Sequence, residues 1–75
     1  MKIGSTLKKI REEKGLSRNE AATLIGILPR SLWRIETDRT APTRKVVETF
    51  CRVAEVPLAR VITASLEPSD FEVKK

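Results

Sequence analysis

Arg30, Trp33 and Arg34 lie close together in the chain, three large side chains able to hydrogen-bond or to stack. On a helix Arg30 and Arg34 are one turn apart and project from the same side. The planar guanidinium fork matches guanine O6 and N7 in a groove, or the oxygens of a phosphate. The chemistry on offer is therefore recognition of a polyanion. The bland alternative is a solvated basic face with Trp33 folded into the core, since tryptophan is usually mostly buried. For Trp33 both readings stand.

Bond-making chemistry lacks its parts. There is no histidine, Cys51 is the single cysteine, and no glycine-rich phosphate loop occurs. Nucleophilic triads and Cys/His metal sites cannot be assembled from such a set, so no enzyme activity, metal or cofactor is expected. Glu12 and Glu13 are adjacent and face different directions on a helix, which is wrong for an acid/base pair. Fifteen Lys and Arg against ten Asp and Glu leave a formal charge of +5 and a pI near 9.9. That balance favours a polyanionic partner, although charge alone does not separate nucleic acid from an anionic membrane. No apolar run approaches the roughly 18 residues of a spanning helix, and the N-terminus lacks the apolar stretch of a signal peptide. A cytoplasmic protein with no membrane contact is expected, and no small-molecule ligand is evident. Cys51, beside Phe50 and Val53, reads as a small buried hydrophobe.

The elements that would present the arginines are legible around one glycine. Before Gly26, Ala22 and Ile25 are apolar at helical spacing, and after it Leu28, Leu32 and Ile35 recur on one face. Two helices are implied. Gly26 sits where the first must stop, because the residue past a helix end often needs φ > 0. Pro29 suits the first position of the next helix. Upstream, Ser17 and Glu20 form an S-x-x-E capping box that starts a helix at Arg18. Leu28 falls at the N-cap of the helix beginning at Pro29 and offers no side-chain acceptor, so the free N–H groups there are open to an anion or to water.

Elsewhere, Ile3, Leu7 and Ile10 describe an amphipathic first helix that starts near Ile3 and ends before Gly15. The third helix should end near Thr37, with a polar connection to Pro42. Thr43 is a plausible cap for a fourth helix with Val47, Phe50 and Ala54 on its apolar face. Leu58, Val61 and Ile62 suggest a short fifth helix between Pro57 and Pro68. Seventy-five residues make one small domain, assigned to residues 1–66, with a tail over residues 67–75. In that tail Phe71 and Val73 alternate with acidic residues like a short strand, or fray as a terminus. Basic residues recur where helices start: Arg18, Arg30, Arg44 and Lys45. Each opposes the helix dipole at a cost of a few tenths to about 1 kcal/mol, unless phosphates neutralise it. A phosphate-binding rim accounts for the pattern, and so does coincidence in a basic chain.

The ordered set Leu7, Ile10-Arg11, Gly15-Leu16-Ser17, Ala22, Gly26-Ile27, Leu32, Arg34-Ile35-Glu36, Pro42 and Val56-Pro57-Leu58 resembles the Cro and phage-repressor-like helix-turn-helix family, also called XRE. The similarity covers about Ile3 to Ile62. It implies an all-α, compact five-helix lambda-repressor-like DNA-binding domain, with the helix-turn-helix formed by helices 2 and 3. Such domains usually bind operator DNA as dimers with the third helix in the major groove. The resemblance puts Pro29, Arg30 and Arg34 at base-reading positions and Arg18, Arg39 and Thr40 on phosphates; the helix-face reading adds Trp33 to the first set, and the basic helix starts add Arg44 and Lys45 to the second. The resemblance also makes Arg11 and Glu36 a partly buried salt bridge between the first and third helices. The sequence departs from the family pattern at Pro29, where a polar residue is usual, and at Asp38, where glycine is usual. Ala21 and Ala54 replace leucines, which lightens the core and leaves burial for a dimer to supply.

The expected function is a sequence-specific DNA-binding transcriptional regulator, a repressor of phage, mobile-element or restriction-modification controller type. Its expected partners are double-stranded DNA and a second copy of itself. Leu58, Val61 and Ile62, with Phe71 and Val73, are the candidate dimer surface. The alternative is a protein-interaction adaptor or antitoxin subunit using the same fold, which would bury the Arg30/Trp33/Arg34 face against protein.

Overall fold

Residues 2–66 are described by a computed structural model, and over them the chain forms α1 (Ile3–Glu13), α2 (Arg18–Ile25), α3 (Pro29–Glu36), α4 (Arg44–Ala54) and α5 (Leu58–Ser65), with no strand among the described residues. The all-α five-helix expectation thus holds. The expected tail, with Phe71 and Val73, lies outside the described residues.

Local chemistry sets most helix ends. Ser17 Oγ accepts from Glu20 N–H at 3.0 Å while Glu20 Oε1 accepts from Ser17 N–H at 3.1 Å, closing the capping box of α2. Hydrogen bonding from Ser17 to the Glu20 carboxylate, from its backbone N–H first and its side chain second, holds that carboxyl below its ordinary range. Gly26 ends α2 in the left-handed region at φ 90°, where a side chain would be strained. Thr43 Oγ1 caps α4 by accepting from Val46 N–H at 3.2 Å. At the other end α4 stops on Glu55, which takes φ 57° with no glycine to ease it. Helix α3 ends at Glu36 with Thr37 as its C-cap, in keeping with an end near Thr37.

One core fills the space between α1, α4 and α5: Leu7, Ile10, Val47, Phe50, Cys51, Ala54, Val56 and Val61, joined by Ile35 from α3. Burying each of its large side chains contributes about 1.5–3 kcal/mol. Cys51 sits within this core, and burial first, then the nearby Glu48 charge, pushes its thiol pKa up. A smaller cluster of Ala21, Ala22 and Leu32 holds α2 against α3.

One expected surface residue is interior. Val61 is fully buried, so it belongs to the domain core and cannot lie on a dimer surface. The reason is the roll of α5, which turns Val61 and Ser65, one turn apart, toward α1. There Ser65 Oγ hydrogen-bonds Thr6 Oγ1 at 2.8 Å, and Lys2 N–H donates to the Ser65 carbonyl at 3.0 Å. Leu58 (36% exposed) and the half-buried Ile62 stay at the surface.

Candidate nucleic-acid interface

Helix α3 is only eight residues long, and its inner side is fully committed. Leu32 and Ile35 are buried in the two core clusters, and Glu36 is 3% exposed at the last turn. The rest of the helix must face outward. Pro29, Arg30, Trp33 and Arg34 are all exposed, and Trp33 at 38% is a surface residue rather than a core one. Leu28 occupies the N-cap with no side-chain bond, as its chemistry dictates, and is itself 70% exposed.

A buried ion network fixes the helix behind that face. Arg11 Nε donates to Glu36 Oε2 at 2.7 Å and Arg11 Nη2 to Oε1 at 3.2 Å, a two-pronged contact between α1 and α3. Arg11 Nη1 also donates to the Leu16 carbonyl at 2.8 Å, tying down the loop before α2. The sequence left unread a third member, Arg18, whose Nε donates to Glu36 Oε1 at 3.2 Å. One carboxylate thus gathers α1, α2 and α3. Two cations around a fully enclosed anion also explain how so polar a group is tolerated inside the domain. Arg18 is therefore not simply a free phosphate ligand. Its side chain is 35% exposed and carries a structural contact alongside the phosphate role expected of it.

The α1–α3 crossing is close at a second point that sequence reading missed. Gly4 is buried, and a Cβ added there would land on the Ile35 carbonyl oxygen. The clue was a glycine inside a helix, which costs stability unless a close approach requires it.

Behind α3 the chain reverses in a tightly bonded turn. Asp38 N–H donates to the Ile35 carbonyl at 3.0 Å, and Arg39 N–H to the Arg34 carbonyl at 2.9 Å. Asp38 takes φ 58°, the left-handed conformation a glycine would supply, and aspartate is one of the few side chains that visit it. Its Oδ2 accepts from Ser5 Oγ at 2.8 Å, so the carboxylate turns toward α1. The turn then brings Arg39 over Trp33, its guanidinium carbon 5.0 Å from the ring centre. Thr40 is exposed on the same loop. Arg44 and Lys45 are exposed at the start of α4, and Arg44 Nε lies 3.2 Å from Glu48 Oε1 in a solvent-screened pair.

The outcome is a surface with Arg30, Trp33 and Arg34 on one helix and Arg39 stacked on Trp33; Arg44 and Lys45 are exposed separately at the N-terminus of α4. No group of His, Cys, Asp or Glu suited to a metal ion occurs among the described residues. No described helix is long and apolar enough to cross a membrane.

The sequence matches the family model for the helix-turn-helix domain over residues 2–61. Among solved structures, the clp gene regulator ClgR from Corynebacterium glutamicum is similar in two crystal structures. In one the TM-score is 0.83 at 22% identity, covering 85% of this chain and 68% of that chain. In the other it is 0.82 at 19% identity, covering 97% of this chain and 92% of that one. At such identities the likeness is one of fold. No curated protein matches the sequence.

Proposed function

The chain belongs to the helix-turn-helix domain family, and from that premise we propose that it is a sequence-specific DNA-binding transcriptional regulator, with α3 entering the major groove. What supports this reading above all is the committed geometry of α3. Leu32, Ile35 and Glu36 anchor one side, and the opposite side presents Arg30 and Arg34 without a buried partner of its own. Arg30 and Arg34 read base edges, with Pro29 offering apolar contact to a thymine methyl. Arg39, Thr40, Arg44 and Lys45, with the exposed part of Arg18, meet phosphates and set the register. The protein acts by occupancy and not by chemistry, repressing transcription where its operator overlaps a promoter. It works in the cytoplasm and binds as a dimer, since one short helix with two arginines spans too few base pairs for useful specificity.

A gel shift with the DNA flanking its own gene tests binding and target together. A retarded complex should form that excess unlabelled site displaces and random DNA does not. No complex, or equal displacement by both competitors, refutes the reading. A second reading, docking to protein as an adaptor or antitoxin subunit, draws on Leu24 and Leu28, which are 56% and 70% exposed. It requires the α3 face to become protected by a protein partner, and protection by DNA alone excludes it.

A further inference from the structure

Trp33 and Arg39 come from different elements, the middle of α3 and the turn behind it, yet they are stacked at 5.0 Å. Contact with an aromatic face orients the guanidinium plane and restrains a side chain that otherwise samples many rotamers. The backbone between the two is restrained as well. Thr37 Oγ1 donates to the Trp33 carbonyl at 2.8 Å, and Arg39 N–H donates to the Arg34 carbonyl at 2.9 Å. Asp38, between them, is held in its left-handed conformation and tethered to α1 through Ser5. The turn fixes where the Arg39 side chain begins, and the indole fixes where it ends. An indole face covered by a cation is, in turn, closed to a base.

We propose that Trp33 is a positioning residue, which holds the Arg39 guanidinium beside the recognition helix to meet a DNA phosphate and does not itself read a base. The inference rests on the DNA-binding reading and refines it, leaving Arg30 and Arg34, with Pro29, as the base-reading set. An arginine ordered in the free protein has less conformational freedom to lose on binding. The Trp33 platform therefore acts on every sequence alike, because every duplex presents the same phosphate.

Trp33 is the single tryptophan and there is no tyrosine, so intrinsic emission reports on this stack. In the free protein, Arg39→Ala should change that emission, and Arg34→Ala should change it much less. Two DNA probes follow: a duplex selected from a random-sequence library, and the unselected pool, each titrated by anisotropy over a range of salt. Trp33→Ala should weaken binding to both by about two- to fivefold, the range for an exposed cation–π contact, and Trp33→Phe should recover most of the loss. Arg39→Ala should lower the salt slope by about one. The double variant should bind no worse than Arg39→Ala alone, since the two residues act as one unit. Neither side chain belongs to the buried core, so both variants should stay folded and lose no more stability than an exposed cation–π contact supplies, as melting curves will check. A Trp33→Ala loss confined to the selected duplex, additive losses in the double variant, or emission indifferent to Arg39→Ala each overturns the proposal. A parent protein that selects no duplex and binds the pool without salt dependence overturns the DNA-binding reading, and the platform with it. Salt-dependent binding with additive variants removes only the platform.

Discussion

Arg30 and Arg11 are the same residue type put to opposite uses, and their surroundings predict different consequences for the same change. Arg30 is exposed on α3, so Arg30→Ala should leave the fold intact. It should cost about 1–3 kcal/mol on a selected duplex and much less on random DNA, as anisotropy will show. Equal losses would make it another phosphate contact. The Arg11 side chain is 8% exposed and that of Glu36 is fully enclosed, so Arg11→Ala should destabilise the domain by about 3–5 kcal/mol in urea unfolding. Arg18 stays behind to neutralise part of the stranded carboxylate, which places Arg11→Ala toward the lower end. Glu36→Ala strands two cations and should cost more. Arg18→Ala should cost less than either, because its side chain is 35% exposed and solvent screens the pair. An unchanged urea midpoint in Arg11→Ala would show that the network carries no stability.

Among the elements, α3 is positioned more by what it touches than by its own propensity, since eight residues make a marginal helix alone. Gly4 is one such contact. Gly4→Ala should push α1 off the Ile35 carbonyl and cost about 1–3 kcal/mol, as overpacking does, although alanine is the better helix former. A thermal melt equal to the parent's would contradict that crossing. At the start of α2, Ser17→Ala removes the cap and should cost about 1 kcal/mol. The capping box also carries a pH dependence of known sign. The folded Glu20 pKa is depressed below its usual 4.5, so its contribution is fully present above the unfolded value and fades as pH falls through the folded one. Amide protection at the start of α2 should therefore weaken below about pH 4.5, and Glu20→Gln should abolish that trend.

For the whole molecule, the proposed dimer places its contact on α5. With Val61 committed to the core, the α5 surface reduces to Leu58 and Ile62, which line a shallow groove of about 360 Å³ with Ile3, Pro42, Arg44 and Val47. Leu58→Glu should therefore raise the dimer dissociation constant in sedimentation equilibrium and abolish cooperativity between half-sites about 10 bp apart, with the monomer fold retained. Undiminished cooperativity would move the interface off α5. Val61→Ala should instead act on folding, at about 0.5–3 kcal/mol for a large-to-small core change.

Local features of the chain carried the helix boundaries. A capping box, a left-handed glycine and a first-position proline act within a few residues, so Ser17, Gly26 and Pro29 announced α2 and α3 directly. Periodicity likewise placed Leu32 and Ile35 inside and Arg30 and Arg34 on the opposite face, but it also counted Leu28 into the apolar stripe, and Leu28, at the N-cap and outside the helical turn, is 70% exposed. Sequence could not decide what depends on how helices roll and cross, because pairs such as Ser5 with Asp38 stand 33 residues apart and share no local rule. Trp33 was open between core and surface until the packing of Leu32 and Ile35 turned it outward, under Arg39. Val61 looked like one more apolar residue on a terminal helix until the roll of α5 pointed it at α1. Arg18 read as a phosphate ligand alone, and only the meeting of α2 with α3 set it against Glu36. Side-chain type and spacing determined which faces exist. Tertiary packing decided which of them remain free to bind.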